Sequence, residues 1–239
     1  MSVNIQLFQG DCFEVLKNIP DKSVDFVLTD PPYEFKNGGF GGGKKELSKR
    51  HFKKQLLHNP LFHKDFDAKT LMNEIERVCK SVNCVIFDTD PMMLKLMQYA
   101  DEHKYYYTQT LWHKTNPPPF LNNNYLKDIE LAIVIREKKT PMFGDYKSLS
   151  KVYTSPVNKR DKDLYNHPTI KPVSLIEKFI TNHTKEGDVV LDMYMGSGTT
   201  GVACKTLNRN FIGIELDPTY FETAKNRINS TYKQLGLFE

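Results

Sequence analysis

The 239-residue chain predicts an α/β fold built on a mostly parallel, doubly wound sheet. Three observations predict it. Short apolar runs alternate with stretches of helical period along most of the length. Two of those runs end in an acid, Val24–Thr29 before Asp30 and Val189–Leu191 before Asp192. The second leads through Gly196 and Gly198 into an apolar helix containing Val202 and Ala203, which is the strand, turn and helix of a βαβ unit.

Taken in order, Val3–Leu7 reads as a short strand, Cys12–Ile19 as a short helix, and Val24–Thr29 as a buried strand. Residues 35–60 contain Gly38-Gly39-Phe40-Gly41-Gly42-Gly43, which cannot hold one conformation cheaply, so the expectation is a mobile loop that orders over a ligand. Leu71, Met72, Ile75, Val78 and Cys79 have helical spacing, and Cys84–Phe87 is a strand. Asp90-Pro91 opens a helix expected to turn Leu94 and Met97 inward. Tyr106–Trp112 and Leu131–Ile135 read as two more strands with Trp112 in the core, separated by Asn116-Pro117-Pro118-Pro119, which cannot join a ladder. After Pro172 a helix carries Val173, Ile176, Phe179 and Ile180 on one face. Phe211–Glu215 is a strand, and Asp217-Pro218 caps a last helix bearing Phe221, Ala224, Ile228 and Leu235.

This length suits one catalytic domain, residues 1–239. No run of eighteen apolar residues and no signal-peptide pattern is present, so the expectation is a cytoplasmic protein without a membrane partner. Cys12, Cys79, Cys84 and Cys204 lack paired CxxC spacing and read as reduced thiols, and His51, His58 and His63 lack metal-ligand spacing, so no metal is expected. The net charge of +4 is unevenly spread. Residues 36–64 hold eight Lys/Arg against one acid, and residues 136–162 hold eight against three. Basic charge concentrated in two segments of an otherwise acidic chain is the footprint of a phosphate-binding face, with a pair of solvated lysine-rich loops as the alternative. Phe40, Phe52, Phe62, Tyr146 and Tyr153 are interleaved with it, as base-stacking aromatics would be.

Asp30-Pro31-Pro32-Tyr33 follows the Val24–Thr29 strand. The two prolines remove two backbone donors and stiffen the segment, leaving local carbonyls as acceptors. A carboxylate, a rigid carbonyl and an aromatic face suit a planar ring that bears an exocyclic amino group. The glycine turn Met193–Thr200 lacks the spacing of a dinucleotide site and the lysine of a P-loop, so nothing there must hold a pyrophosphate. Glu215, ending the next strand, stands where a ribose-binding acid would in a βαβ unit, which fits a nucleoside-bearing cofactor.

Asp30-Pro31-Pro32-Tyr33, then His167-Pro168-Thr169 with Lys171-Pro172, then Asp192–Thr200, then Glu215, resembles the permuted, β-class S-adenosylmethionine-dependent DNA amino-methyltransferases of bacterial and phage modification systems. Gly10-Asp11-Cys12 and Trp112-His113-Lys114-Thr115-Asn116-Pro117 are similar too, and the resemblance spans nearly the whole chain with the catalytic motif ahead of the glycine motif. Where that group reads Asp-Pro-Phe before its glycines, this chain has Asp192-Met193-Tyr194.

The resemblance implies a circularly permuted, Rossmann-like methyltransferase fold with seven strands, one of them antiparallel near an edge. It implies Asp30, Pro31, Pro32 and Tyr33 as the catalytic set. For S-adenosylmethionine it implies Asp11 on the adenine side, Glu215 at the ribose, and His167, Thr169, Lys171, Ser197, Gly198 and Thr199 at the methionine end, with Asp30, Asp192 and Gly196 completing the pocket. Cys12 beside Asp11 is open to two readings, a pocket lining or a small buried apolar residue. Asp at position 30 points by family habit to adenine N6 in double-stranded DNA, with a cytosine-N4 enzyme or an RNA amino-methyltransferase as the alternative. DNA contacts are expected in insertions at 34–66 and 136–166, through Lys44, Lys45, Lys49, Arg50, Lys53, Lys54, Lys159 and Arg160. A homodimer and a cognate restriction endonuclease are the further partners that such systems imply. A nicotinamide-dependent oxidoreductase would need fingerprint glycines that are missing, and an inert DNA-binding module would bind without transferring methyl groups.

Overall fold

The computed structural model describes residues 3–31, 67–88, 90–117, 125–165 and 170–231. Among them, eight strands form one sheet: β1 (Ile5–Gln9), β2 (Phe26–Thr29), β3 (Asn83–Asp88), β4 (Tyr106–Lys114), β5 (Ile129–Arg136), β6 (Val152–Ser155), β7 (Val189–Asp192) and β8 (Asn210–Glu215). Their spatial order is β1-β8-β7-β2-β3-β5-β4-β6, and only β5 runs against its neighbours. The helices are α1 (Cys12–Leu16), α2 (Ala68–Val78), α3 (Asp90–Glu102), α4 (Lys159–Tyr165), α5 (Val173–His183), α6 (Thr199–Thr206) and α7 (Pro218–Ser230).

Strand side chains alternate, so one sheet feeds two cores. Val27, Cys84, Ile86, Leu191 and Ile212 pack with Leu16 of α1, Leu71, Met72 and Ile75 of α2 and Leu96 of α3. Phe26, Leu28, Val85, Val190 and Phe211 pack on the other face with Ile176 and Phe179 of α5, Ala203 of α6 and Phe221, Ala224 and Ile228 of α7. Every residue of β2 and β3 is buried, as expected of strands covered on both faces. Phe26 and Phe211, each 0% exposed, contribute about 2 kcal/mol apiece by burial. Helix starts follow their sequence signals. Asp11 accepts from Glu14 N ahead of α1, Asp67 from Lys69 N ahead of α2, and Asp217 from Thr219 N and Tyr220 N ahead of Pro218 in α7.

Several expectations are corrected. The sheet has eight strands rather than seven, because β6 pairs in parallel with β4 over Leu111–Lys114. Val152–Ser155 is a short edge strand of alternating exposure, and α4 buries no residue, so neither carries the apolar period that the sequence reading depends on. The 136–151 stretch is tied to α5: Phe143 N donates to Asn182 O at 2.9 Å, Asn182 Nδ2 donates to Ser148 O at 2.8 Å, and Lys178 Nζ donates to Ser148 O and Ser150 O. Leu94 points outward at 59% exposure, and Met93, Leu96 and Ala100 face the core instead. Two apolar stripes one residue apart overlap in Met92–Met97, and periodicity alone cannot choose between them. Val24 precedes β2 in an isolated bridge to Cys79. The 35–60 loop and Leu235 lie outside the described residues.

Candidate active site

In the order β8-β7-β2-β3 the chain winds one way from β2 to β3 and the other from β7 to β8, so the crevice beyond the carboxyl ends of β7 and β2 is the topological switch point. Asp30-Pro31 leaves β2 there, and Asp192 ends β7 beside it. The two strand ends are joined directly, since Thr29 Oγ1 donates to Asp192 Oδ1 at 3.1 Å. A cavity of about 50 Å³ lies between them, lined by Asp30, Lys171, Phe87, Ser197, Thr199 and Thr200 among others.

Asp192 works on the turn itself. Its Oδ1 also accepts from Tyr194 N at 3.1 Å, and its Oδ2 accepts from Thr200 Oγ1 at 2.6 Å. Burial pushes its carboxyl up to about 7 against those donors. The missing proline at Met193 is offset by contacts. Met193 is buried in the core, and Tyr194 OH accepts from Cys12 Sγ at 3.1 Å. Burial drives the Cys12 thiol up to about 12, so it stays protonated and unreactive.

The glycine turn is held from behind. Gly196 and Gly198 have φ of 51° and 80°, the left-handed region that glycine adopts without strain. A Cβ on Gly198 would stand 2.9 Å from Ala224 Cβ and 3.0 Å from Ala224 Cα, so close packing against α7 demands this glycine. Gly196 N donates to Glu215 Oε2 at 2.9 Å, and Asp217 N donates to Glu215 Oε1 at 2.8 Å. Burial raises the Glu215 carboxyl, and those two amides oppose the rise. Arg227 of α7, 6% exposed, reaches the same turn, its Nη1 donating to Thr199 Oγ1 at 2.9 Å and to Ser197 O at 3.3 Å. On its other side Arg227 meets Asp161 of α4 at 3.4 Å and lies over the Tyr165 ring.

Lys171, which the resemblance sets at the methionine end of the cofactor, lines the same cavity as Ser197 and Thr199, and its Nζ lies 2.5 Å from Asp30 Oδ2 and 2.6 Å from Glu130 Oε1, 4.8 Å from the centre of the Phe87 ring. The Glu130 contact is an ion pair more than an aligned hydrogen bond. Glu130 Oε2 in turn meets Lys114 Nζ at 2.7 Å. Burial works against the charge on Lys171, but Asp30 and Glu130 outweigh it and hold the ammonium above its ordinary range. Burial likewise works against the Glu130 carboxylate, yet Lys171 and Lys114 bring it down to about 2.

At the carboxyl end of β1, Asp11 Oδ1 caps α1, while Oδ2 is buried with no hydrogen-bond partner among the described residues. Lys159 and Arg160 are exposed on α4. Pro32, Tyr33, His167, Thr169, Lys44, Lys45, Lys49, Arg50, Lys53 and Lys54 lie outside the described residues. Sequence reasoning missed Glu130, Thr29, Thr200 and Arg227. A buried arginine four residues past Thr223 in an amphipathic helix carries no signal of its own. Thr29 and Thr200 flank recognised motifs and were within reach.

The chain is 30% identical to the Type II methyltransferase M2.LlaDCHI of Lactococcus lactis subsp. cremoris, covering 95% of this chain and 90% of that protein. It is 31% identical to M2.DpnII of Streptococcus pneumoniae, covering 94% and 89%. Among solved structures, the M1.HpyAVI–SAM complex matches with a TM-score of 0.67 at 31% identity over 94% of this chain and 99% of that one. The cytosine-N4-specific PvuII DNA methyltransferase matches with a TM-score of 0.68 at 19% identity, over 95% of this chain and 87% of that one, a likeness of fold alone. The N6/N4 DNA methylase family model matches residues 24–226, and the chain belongs to that family.

Proposed function

We propose that this chain transfers a methyl group from S-adenosylmethionine to the exocyclic N6 of an adenine flipped out of double-stranded DNA. The observation that carries the reading is that Asp30 and the Ser197–Thr199 turn face one crevice from adjacent parallel strands, joined through Thr29 and Asp192. The donor set fits the cofactor. The orphaned Asp11 Oδ2 suits an adenine amino group, Glu215 suits ribose hydroxyls, and Ser197 and Thr199 suit the methionine end. Bound there, the cofactor supplies an electrophilic sulfonium methyl.

The exocyclic nitrogen is a poor nucleophile because its lone pair is delocalised into the ring. Asp30 and the Pro31 carbonyl, each accepting one N–H, favour the pyramidal form and aim the lone pair, and Tyr33 stacks on the ring. Pro32 stiffens that ledge. Asp30 takes up the proton that the nitrogen sheds as it is methylated. Extrusion of the base costs a few kcal/mol, offset by stacking and by contacts to its Watson–Crick edge. Lys44, Lys45, Lys49, Arg50, Lys53, Lys54, Lys159 and Arg160, in the segments 34–66 and 136–166, are assigned to the DNA backbone on their charge. A homodimer belongs to the same reading, as does a cognate restriction endonuclease, with which the Type II names of the relatives fit.

Expression in a methylation-free bacterial host, followed by long-read sequencing and nucleoside mass spectrometry, tests the reading. The expected result is N6-methyladenine at one motif of roughly four to five base pairs. N4-methylcytosine would replace adenine by cytosine as the substrate. Unmodified DNA from a folded, cofactor-binding protein would overturn the DNA assignment in favour of RNA.

A further inference from the structure

Because β5 is the one antiparallel strand, its first residues, and not its last, reach the edge of the sheet where the crevice opens. Glu130 stands there, opposite Trp112 in register, with its side chain 21% exposed. It faces Lys171 at 2.6 Å on one carboxylate oxygen and Lys114 at 2.7 Å on the other. Lys171 joins it to Asp30. Asp30, Lys171, Glu130 and Lys114 therefore form a line of alternating charge that sums to zero, drawn from β2, the entry to α5, β5 and β4.

We infer that Glu130 is a positioning residue for methyl transfer: by sharing the Lys171 ammonium with Asp30, it fixes the carboxylate that receives the target amine and prevents Lys171 from becoming the exclusive partner of that carboxylate. This rests on the function proposed above. Lysine is a flexible point charge with three donors, so a lone Lys171 would follow Asp30 wherever that carboxylate turned. Three fixed neighbours remove that freedom. Glu130 pulls from one side, Asp30 from the other, and the ammonium lies over the Phe87 ring, leaving the Lys171 side chain 7% exposed. Lys114 keeps Glu130 itself from being an unbalanced buried charge. Remove the Glu130 charge and Lys171 turns all its donors on Asp30, competing with the amine for the same oxygens.

The test is a double-mutant cycle with Glu130→Gln and Lys171→Met, reading kcat on duplex DNA, KM and calorimetric affinity for S-adenosylmethionine. The expected result is a loss of kcat of at least about tenfold for Glu130→Gln with cofactor affinity nearly unchanged, and no further loss when it is added to Lys171→Met. Glu130→Asp, which keeps the charge at shorter reach, should recover part of the loss. It replaces Glu130→Gln in the cycle if the latter does not fold, and should then cost kcat in the parent but nothing further beside Lys171→Met. Multiplicative losses would show that Glu130 does not act through Lys171 and would overturn the inference, as would an unchanged kcat in Glu130→Gln. A parent enzyme that methylates no DNA would instead sink the proposed function.

Discussion

The guanidinium of Arg227 and the hydroxyl of Thr199 meet 2.9 Å apart inside the protein, so helix α7 grips the turn that follows β7 from behind. The same guanidinium meets Asp161 and Tyr165, which links the turn to α4 and hence to the basic segment that contains Lys159 and Arg160. Burial lowers the pKa of Arg227, and nearby Tyr165 and Asp161 partly restore it.

Arg227→Met should therefore loosen the cofactor turn and unseat α4 together. The expected outcome is a loss of roughly 3 kcal/mol of stability and about tenfold weaker binding of S-adenosylmethionine. Arg227→Lys should not restore it, since an ammonium cannot reproduce the planar fork. Melting and calorimetry read both effects. Unchanged cofactor affinity would separate Arg227 from the turn.

Gly198→Ala should destabilise the fold by about 1–3 kcal/mol, through a strained φ and contact with the backbone of α7. Adding Ala224→Gly should return part of the loss, because it opens the space that the new methyl needs. A single variant as stable as the parent would refute the packing account.

Asp30→Ala should abolish methyl transfer while keeping most of the cofactor affinity, because the partner of Asp30 is the target amine. Lys171 keeps Glu130 as its counter-charge, so the variant folds. Turnover within about tenfold of the parent would show that the ledge is not where the chemistry occurs.

His183 stacks on Phe26 with ring centroids 4.7 Å apart, and its Nδ1 lies 2.8 Å from Asn83 Oδ1. Burial, and then Arg136 and Lys178, push its pKa down to about 3 from 6.5. Between those values the unfolded chain binds the proton and the native protein does not, so this contribution is complete above about 6.5 and declines as pH falls. Asp192, raised to about 7, acts with the opposite sign and favours the native state as pH drops through that value. Comparing melting temperatures of the parent and His183→Gln isolates the first effect. The gap between them should shrink steadily below pH 6.5, and a constant gap would contradict the assignment.

Replacing Lys44, Lys45, Lys49, Lys53 and Lys54 with Gln should weaken binding to all DNA sequences alike. It should also flatten the slope of log affinity against log salt by about one for each phosphate that is no longer neutralised. An unchanged slope would make residues 36–64 a solvated surface.

The apolar runs and caps were legible because strand and helix periods are local. Thus β2, β3, β7, α2, α5 and α7 appear in the sequence close to where the structure has them. The phase of α3 was not legible, since Met93 and Leu94 offer two adjacent stripes and only the packed sheet selects one. Nor was β6 legible, a four-residue edge strand whose partner lies about forty positions away in β4.

By itself the sequence determined the two acidic strand ends, the stiff Asp30-Pro31 ledge and the glycine turn, because each is made by neighbouring residues obeying backbone rules. Only the tertiary structure decided what those residues touch. Lys171 follows a proline-threonine motif, and only folding brings it between Asp30, 141 positions away, and Glu130. Gly198 reads as part of a glycine turn, and only the packed fold shows α7 against the side where a Cβ would stand. Glu130 is the second residue of its strand, and the antiparallel direction of β5 carries it to the crevice. Strand direction, helix phase and charge pairing are settled by contacts between distant segments, whose energies do not exist until the sheet has closed.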